Sequence, residues 1–328
     1  MMHDVITFGE AMVRLAPPHF QRLEQTRTLD VEIGGAELNT SVGLARLGRS
    51  VAWVSRLPNN SLGHLVANRA REGGVSDRYV QFAADGRCGL YFLEFGASPR
   101  ASSILYDRAD SSAAHMAPGT FDWPNILRGS RWFHVTGITA ALSAGAAAAT
   151  NESLVAAKAA GLHTSIDLNY RSKLWSTTDA GRVMSGLLMH CDVLFASEAD
   201  AEQLFGITGA DFIEVAAKLT NRFGLTAVVG VKRETPLVWR NRFAAVGLMA
   251  GKYLESPAYE VEIVDRLGSG DALAAGLIHG LLDGDFEKGL MYGAAMGALK
   301  HSIPGDLPWI TQDEVEAVVG GSGLRIKR

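Results

Sequence analysis

Short apolar runs alternate along this chain with longer segments in which apolar residues recur at every third or fourth position. The short runs have the length and composition of buried strands: Val5–Phe8, Val51–Val54, Trp132–Val135, Thr164–Leu168, Val193–Ala196 and Ala227–Val231. The longer segments have helical spacing: Leu38–Leu47, Leu62–Glu72, Ala144–Ala160, Phe212–Phe223, Ala272–Leu282 and Glu287–Lys300. Strands and helices in alternation predict an α/β fold with a parallel sheet covered by helices.

Two stretches, residues 10–33 and 87–108, interrupt this alternation. Their side chains alternate between polar and apolar, as in antiparallel strands whose sheet has one face in water. We therefore predict one domain over residues 1–328, with a small sheet inserted at about 10–33 and 87–108. Such a sheet is a natural lid for a cleft at the carboxyl ends of the main strands. Because a few exposed strands are marginally stable alone, we expect the lid to pack against the cleft or a second subunit, and we predict a homodimer.

Composition narrows the class of protein. The chain has 328 residues, of which 47% are hydrophobic, and a formal net charge of −4 with scattered Lys and Arg. This balance is typical of a globular protein and disfavours nucleic acid as a partner. Neither a leader nor an apolar run of membrane-spanning length is visible, so we expect a cytoplasmic protein without a membrane partner. Cys88 and Cys191 lack disulfide or zinc-site spacing and are expected to be free thiols.

The segment Gly268-Ser269-Gly270-Asp271 joins a strand-like run to a predicted helix. Its glycines allow a sharp turn and a close backbone approach to a ligand, and the helix offers unpaired N–H groups to an anion. Because phosphate repels a carboxylate, the presence of Asp271 beside a phosphate-binding turn needs a separate explanation. One reason is chemical, a base that takes a proton from a hydroxyl attacking a phosphoryl group. The alternative is an ordinary acidic residue in the first turn of a helix.

Two further segments place polar groups beside predicted elements. Gly34 and Gly35 precede the first long helix and bring Asn39 to its start, although a plain helix entry would look the same. Residues 167–175 follow a buried strand, where open α/β sheets bind ligands, and they include Asn169 and Arg171. The guanidinium of Arg171 suits a carboxylate or phosphate, in a charge-assisted hydrogen bond worth about 1.5–3 kcal/mol. The alternative is a surface loop whose Arg pairs with a nearby acid.

The remaining candidates are weaker when taken alone. Tyr91, Tyr106 and Arg108 lie in the predicted lid, where an exposed Tyr/Arg ladder across two strands is the alternative. Asp306 follows the last long helix in a turn, where Asp is also common for structural reasons. The sequence has no metal-ligand spacing among its histidines, no GxSxG elbow, no P-loop and no GxGxxG after the first strand. Hydrolase, zinc, P-loop and dinucleotide-binding interpretations are therefore disfavoured, and phosphate held by the GxGD turn remains.

Taken together, these motifs resemble the two signatures of the ribokinase-like (PfkB) family of sugar kinases. The first signature is carried by Gly34-Gly35-Ala36-Glu37-Leu38-Asn39 with residues 44–48, and the second by residues 268–272. The resemblance covers essentially the whole chain and implies a three-layer α/β/α domain with a mainly parallel central sheet and a small β-sheet lid. Within the family, residues 167–175 and 304–308 look most like those of 2-keto-3-deoxygluconate kinases.

The resemblance also implies roles for particular residues. Asp271 would be the base, and the N–H groups of Gly268, Ser269 and Gly270 would form the anion hole. The residues that would line the sugar site are Gly34, Gly35, Asn39, Tyr91, Tyr106, Arg108, Asn169, Arg171 and Asp306. Those near ATP would be Ser197, the Lys232–Leu237 turn and Gly268–Gly270, with Mg²⁺ bridging the phosphates. Arg108 and Arg171 would neutralise the carboxylate of an acid sugar, which a neutral sugar would not need.

Three segments depart from the family pattern. Ser197-Glu198-Ala199-Asp200 replaces an Asn-x-x-Glu pair, so Asp200 is expected to act on the metal through water. Asp265-Arg266 replaces an Asp-Thr pair beside the GxGD turn, and we therefore predict that no monovalent cation such as potassium is required. Lys232-Arg233-Glu234 replaces a Lys-x-Gly turn over the nucleotide, so the phosphate contacts are better defined than those of the adenosine.

These observations lead to one main hypothesis and two alternatives. The main hypothesis is an ATP-dependent kinase that phosphorylates 2-keto-3-deoxygluconate at its terminal hydroxyl, giving 2-keto-3-deoxy-6-phosphogluconate. The first alternative is a kinase for a neutral ketose or pentose, similar to fructokinase or ribokinase. The second is a non-catalytic regulatory protein that binds sugar on a kinase fold, since a fold alone does not determine function.

Overall fold

The computed structural model describes residues 2–237 and 239–321. Its strands are β1 (Val5–Phe8), β2 (Met12–Ala16), β3 (Asp30–Gly34), β4 (Val51–Pro58), β5 (Ser76–Ala83), β6 (Leu90–Glu94), β7 (Ser103–Asp107), β8 (Trp132–Thr136), β9 (His163–Asp167), β10 (Val193–Phe195), β11 (Ala227–Leu237), β12 (Arg240–Met249), β13 (Lys252–Glu255) and β14 (Tyr259–Glu262). Its helices are α1 (Ala36–Arg46), α2 (Ser61–Glu72), α3 (Trp123–Ile126), α4 (Gly137–Ala140), α5 (Ala144–Ala159), α6 (Thr177–Leu188), α7 (Glu198–Phe205), α8 (Phe212–Phe223), α9 (Ser269–Leu282), α10 (Phe286–Lys300) and α11 (Gln312–Val319). Every strand and helix predicted from the alternating pattern is present near its expected bounds.

The central sheet contains ten strands within the described ranges. Their order is β13, β12, β11, β10, β9, β8, β1, β4 and β5, and β14 also pairs with β12. The strands from β11 to β5 run parallel, whereas β12, β13 and β14 add an antiparallel end. Sequence reasoning did not predict this end, because most of β12 is buried without the alternation of a strand that has one wet face.

Helices cover both faces of the central sheet. Successive side chains of a strand point to opposite faces, and β1 shows the consequence. Ile6 and Phe8 enter a core formed with α5, α6, α7 and α8, whereas Val5 enters a core formed with α9, α10 and α11. The predicted fold class, a mainly parallel sheet between helices with a small separate sheet, is confirmed. The number of domains stays a prediction.

The small sheet has the strand order β3, β2, β6 and β7. β2 pairs parallel with β6, and the other two pairings are antiparallel. Tyr91 and Leu93 are buried at 3% exposure, whereas Val31 and Leu105 are 46% and 59% exposed. Tyr91 lies opposite Tyr106 on β7, with ring centroids 6.0 Å apart. One face of this sheet is therefore covered while apolar side chains remain exposed elsewhere on it.

Helices α9 and α10 form a hairpin in which their backbones touch. A Cβ on Gly276 would overlap the backbone of Gly293. A Cβ on Gly297 would lie 3.1 Å from the carbonyl oxygen of Ser269. The first turn of α9 therefore lies beside the last turn of α10, and this close packing fixes where α9 begins.

Two expectations from composition concern membranes and thiols. In the part of the chain that the structure describes, no helix combines the length and apolarity needed to cross a membrane. Cys88 and Cys191 are buried and free, as predicted. Burial raises the pKa of the Cys88 thiol to about 11 and that of Cys191 further. Neither thiol is therefore activated at neutral pH.

Gly276→Ala should lower the free energy of unfolding by about 1–3 kcal/mol, because the added methyl group has no room between α9 and α10. Gly186→Ala in α6 is the matched control. No neighbouring atom lies within 4 Å of its Cβ position. This control should raise the free energy of unfolding by about 0.5–1 kcal/mol through helix propensity. Urea unfolding measures both changes, and shifts of the same sign would contradict the packing argument.

Candidate functional site

The carboxyl ends of the central strands open into a cleft of about 560 Å³ that the small sheet borders. The ends of β9 and β10, residues 229–231 of β11 and the starts of α1 and α9 contribute to its wall. The predicted site residues that line it are Gly34, Gly35, Asn39, Tyr91, Tyr106, Arg108, Asn169, Arg171, Ser197, Asp200, Gly268, Ser269, Gly270, Asp271 and Asp306. Residues predicted for sugar, phosphate and nucleotide contacts thus share one cleft.

Helix α9 begins at the turn that was predicted to hold phosphate. Gly268 has a φ of +81°, in the region that favours glycine, and a Cβ there would overlap the carbonyl of Asp306. Gly268 is the N-cap and supplies no side-chain cap to the helix. The amide of Ser269 donates a long hydrogen bond of 3.4 Å to the carbonyl of Arg266. This geometry suits an anion, because the N-terminal N–H groups and the helix dipole both favour negative charge.

Asp271 lies in the first turn of α9 and contacts the start of α1. Asn39 donates from Nδ2 to Asp271 Oδ2 at 2.7 Å, while Asn39 Oδ1 accepts from the amide of Gly35 at 3.3 Å. Burial raises the pKa of Asp271 to about 6, and the Asn39 hydrogen bond opposes that rise. The carboxylate is therefore ionised at neutral pH, with a pKa close enough to 7 for proton transfer.

Asp306 belongs to a buried cluster that ties the lid to the loops around α9. Its Oδ1 accepts from Arg14 Nη1 at 2.7 Å, and its Oδ2 accepts from the Tyr91 hydroxyl at 2.6 Å. Arg14 Nη1 also lies 2.6 Å from Asp265 Oδ2. Burial and the Asp306 charge raise the pKa of Tyr91, so its phenol stays protonated and donates. Both oxygens of Asp306 thus have protein partners, and its role as a direct sugar ligand stays a prediction.

The two predicted arginines lie in different surroundings. Arg108 is 9% exposed and forms an ion pair with buried Glu10, which also accepts from Ser111. Arg108 Nε is buried and has no hydrogen-bond acceptor among the described residues. Arg171 is exposed and donates to the carbonyl of Tyr170 at 3.1 Å. Across residues 2–237 and 239–321 no carboxylate lies within salt-bridge distance of Arg171. Of these two arginines, only Arg171 is without a carboxylate partner among the described residues.

Asp167 ends β9 in the same cleft, and sequence reasoning did not select it as a site residue. Its Oδ1 accepts from the amide of Asn169 at 3.0 Å. Asn169 has a φ of +40°, a left-handed conformation that costs energy in most residues and that Asn tolerates better. Burial, followed by the charges of Asp271 and Asp200, raises the pKa of Asp167 to about 7. The position of Asp167 at a strand end, two residues before Asn169, was the signal available in the sequence.

The predicted nucleotide contacts are only partly brought together. Ser197 and Asp200 form a capping box at the start of α7, in which Ser197 Oγ accepts from the Asp200 amide at 3.1 Å. The predicted turn at residues 232–237 is wrong, because β11 continues through these residues in antiparallel pairing with β12. Lys232 is outside the cleft lining and its Nζ lies 2.6 Å from Glu255, so its contact with ATP stays a prediction. The side chains of residues 233–238 lie outside the described part of the structure.

The donor set of the cleft fits a magnesium ion that is held mainly by phosphate and water. The described residues contain no group of three His, Cys, Asp or Glu side chains placed to hold a metal. Mg²⁺ usually keeps several waters and takes one or two carboxylates plus substrate phosphates. Asp200 and Asp167 line the cleft and influence each other electrostatically. These carboxylates therefore suit an ion that enters with a nucleotide rather than a permanent metal centre.

Glu37 fixes the start of α1, although nothing in its sequence context distinguishes it from an ordinary acid near a helix N-terminus. It is 1% exposed, and its Oε1 accepts from the Thr136 amide at 2.9 Å, the Thr136 hydroxyl at 2.8 Å and the Thr139 hydroxyl at 2.7 Å. A Cβ on Gly9 would overlap its carboxyl group. Burial raises the pKa of Glu37 to about 7. Glu37 thus anchors the helix that presents Asn39.

Known proteins are similar to this chain over nearly its whole length. The sequence model described as pfkB family carbohydrate kinase matches residues 2–307. The chain is 39% identical to a 2-dehydro-3-deoxygalactonokinase of Haloferax volcanii, over 100% of both chains. The crystal structure of a 2-dehydro-3-deoxygluconokinase of Thermotoga maritima is similar, with a TM-score of 0.94 and 38% identity, covering 98% of this chain and 100% of that one. An E. coli putative ribokinase II in complex with ATP and Mg²⁺ has a TM-score of 0.85 at 22% identity, covering 98% and 100%, and supports the fold alone.

Asp167→Asn should raise the melting temperature by more at pH 8 than at pH 5. The pKa of Asp167 is about 7 in the fold against an ordinary value of 3.8. A raised pKa means that the folded protein binds the proton more tightly, so stability is lost as the pH rises from about 4 to about 7. Asparagine removes this loss and keeps the Oδ1 acceptor.

Thermal unfolding at the two pH values measures the effect of Asp167→Asn. The control is Asp30→Asn on the exposed end of β3, which should change the melting temperature equally at both pH values. An equal shift of Asp167→Asn at both pH values would contradict the electrostatic origin.

Proposed function

Because this chain belongs to the PfkB family of carbohydrate kinases, we propose that it transfers the γ-phosphoryl group of ATP to a 2-keto-3-deoxy sugar acid. The acceptor is 2-keto-3-deoxygluconate, phosphorylated at its terminal hydroxyl to 2-keto-3-deoxy-6-phosphogluconate. The observation that carries the acid acceptor is Arg171, a cleft guanidinium without a carboxylate partner among the described residues. The names of the H. volcanii and T. maritima relatives, both kinases of keto-deoxy sugar acids, support this class of acceptor.

Asp271 is the general base of this transfer. Its carboxylate takes the proton of the sugar hydroxyl as that oxygen attacks the γ-phosphorus, and the Asn39 amide holds it in place. Desolvation keeps its pKa near the working pH, while the hydrogen bond keeps it ionised. A positioned base of this kind contributes roughly 10²–10⁴-fold to a rate.

The turn at Gly268, Ser269 and Gly270 receives the transferred phosphoryl group. Its backbone N–H groups and the N-terminus of α9 stabilise the charge that spreads over the phosphoryl oxygens. Mg²⁺ supplies further neutralisation of the phosphate charge when it is bound with ATP. Asp200 lines the cleft and would hold that ion through water.

The acid end of the sugar binds Arg171, and the lid contributes contacts from a guanidinium whose charge is already paired. Arg108 is already paired with Glu10, so a substrate carboxylate there would compete with a buried ion pair. The unpartnered Nε of Arg108 instead suits a hydroxyl or keto oxygen of the sugar. Tyr106 and Asn169 line the same cleft. This assignment gives the two arginines different tasks.

One close alternative acceptor is 2-keto-3-deoxygalactonate. The H. volcanii relative is named for that sugar acid, and it is 39% identical to this chain. The two acids differ at one hydroxyl-bearing carbon and share the carboxylate that Arg171 would bind. The neutral-sugar alternative leaves Arg171 without a task, and the non-catalytic alternative leaves Asp271 without one.

The lid is the proposed contact with a second copy of the chain. Val31 and Leu105 leave apolar surface exposed on a sheet of only four strands among the described residues. Isolated small sheets gain stability when another surface covers them. A homodimer through the lid would provide that cover.

Arg171→Leu should raise the KM for 2-keto-3-deoxygluconate by about 10–100-fold, because a charge-assisted hydrogen bond of roughly 1.5–3 kcal/mol is lost. The KM for ATP should stay near its wild-type value. Arg182→Leu in α6 is the matched control, since this exposed residue forms a surface ion pair with Asp179 and does not line the cleft. A coupled assay of ADP release measures the activity with 2-keto-3-deoxygluconate, 2-keto-3-deoxygalactonate, fructose and ribose. A higher kcat/KM for fructose or ribose than for either acid would overturn the acid acceptor.

Asp271→Asn should lower kcat by about 10²–10⁴-fold and leave sugar binding intact, because the base is lost while the shape is kept. In the wild type, kcat should fall as the pH drops below about 6, where the carboxyl becomes protonated and stops accepting a proton. Asn39→Leu removes a hydrogen bond to the ionised form and should move this acid limb to higher pH.

Rate profiles over pH and calorimetric titration with the sugar acid measure these effects. A wild-type rate in Asp271→Asn would refute the assignment of the base. An acid limb that does not move in Asn39→Leu would show that the amide has no influence on the titrating group.

A further inference from the structure

One buried positive charge has no task in the chemistry above. Lys300 ends α10 and is 0% exposed. Its Nζ donates to the carbonyl of Ile303 at 2.9 Å, and within residues 2–237 and 239–321 no carboxylate lies within salt-bridge distance of it. Lysine is almost never fully buried unless it is paired, because removing its charge from water is costly. Its retention at this place therefore calls for a reason.

Lys300 lies directly behind the turn that begins α9. A Cβ on Gly268 would lie 3.4 Å from Lys300 Cε. Gly268 is also a lining residue of the cleft. The ammonium group is thus on the protein side of the same turn whose other side borders the cleft.

The packing of α10 against α9 makes a positive charge favourable near the start of α9. Gly297 of α10 packs beside the carbonyl of Ser269, so the carboxyl end of α10 lies next to the amino end of α9. A helix carries roughly half a positive charge at its amino end and half a negative charge at its carboxyl end. The end of α10 therefore weakens the field that α9 offers to an anion. A full positive charge on the last residue of α10 reverses that effect.

Two buried carboxylates make a positive charge at this place still more favourable. Asp265 and Asp306 are 1% and 7% exposed, and both pair with the single guanidinium of Arg14. Burial lowers the pKa of Lys300, and the charges of Asp265 and Asp306 oppose that fall. Arg14 and Lys300 together balance the two carboxylates. Without Lys300, this cluster would hold an unbalanced negative charge behind a turn that receives phosphate.

We propose that Lys300 is a positioning residue whose ammonium group is the resident cation of the Gly268–Gly270 turn. It holds the turn in its anion-binding shape and offsets the negative charges behind it, so no diffusible monovalent cation is needed there. The inference rests on the proposed phosphoryl transfer, which gives the turn an anion to bind. It follows that the rate of the enzyme is the same in potassium, ammonium and tetramethylammonium salts.

Lys300→Met tests this inference, because methionine keeps most of the side-chain volume and removes the charge. The control is Lys288→Met on the same helix, where the lysine has a surface ion pair with Asp283. The affinity for a non-hydrolysable ATP analogue with Mg²⁺ is measured by calorimetry, alongside kcat and both KM values from ADP release. Lys300→Met should lose about 10–100-fold in kcat and in affinity for the analogue, with an unchanged KM for the sugar. Potassium or ammonium chloride should restore part of the loss, and tetramethylammonium chloride at equal ionic strength should not.

Several results would overturn the proposal. Stimulation of the wild type by potassium to several times its rate in tetramethylammonium does so without any variant. An unchanged kcat and an unchanged affinity for the ATP analogue in Lys300→Met would also overturn it. The same holds if Lys300→Met has a normal melting temperature and loses activity, but neither potassium nor ammonium restores any of that activity. If Lys300→Met does not fold, Lys300→Arg replaces it and is expected to stay independent of potassium. The calorimetric affinity needs no acceptor, so a failure of the sugar-acid assignment remains distinguishable from a failure of this inference.

Discussion

The hydrogen bond from Asn39 to Asp271 joins residues 232 positions apart in the chain, and the site depends on it. It requires that α1 and α9 begin at fixed points. Glu37 fixes α1 through its three hydrogen bonds to Thr136 and Thr139, and the glycine contacts with α10 fix α9. A relative movement of about 1 Å would break a bond of 2.7 Å, expose the base to a different environment and change its pKa. Rigid packing beneath the cleft therefore maintains the hydrogen bond that opposes the rise in the pKa of Asp271.

Phosphate enters a cleft that already contains the carboxyl groups of Asp167, Asp200 and Asp271. Burial raises the pKa of Asp167 most, and repulsion by Asp271 and Asp200 raises it further. The compensation comes from several weak sources rather than one strong one: the amino end of α9, the guanidinium of Arg171 and the buried ammonium of Lys300. Asp271 is therefore ionised at neutral pH, although its pKa of about 6 lies only about one unit below 7. A strong ion pair at Asp271 would have lowered its pKa and weakened it as a base.

The sequence determines the parallel core and the local motifs well, because both depend on nearby residues. Strand and helix periodicity is a short-range signal, and so is the glycine requirement at Gly268. Charges are different, because their meaning depends on partners far along the chain. Arg108 and Arg171 look equivalent in the sequence, and only the position of Glu10, 98 residues from Arg108, separates them. Arg14 was not selected for the same reason, since Asp265 and Asp306 reach it only in the folded structure.

Discrimination between epimeric sugar acids follows a separate logic from recognition of the acid. The carboxylate that Arg171 is proposed to bind is common to both epimers, so this contact would raise the affinity for both equally and would not discriminate between them. Selectivity must arise where one hydroxyl meets a buried polar group that the other epimer leaves unpaired, a penalty of about 1–3 kcal/mol. The Nε of Arg108 and the side chain of Asn169 are the candidates, since both residues line the cleft and the Nε is buried without a partner among the described residues. An enzyme of this design would recognise the class of acid through the exposed guanidinium of Arg171, and the particular epimer through the already paired guanidinium of Arg108 and the amide of Asn169.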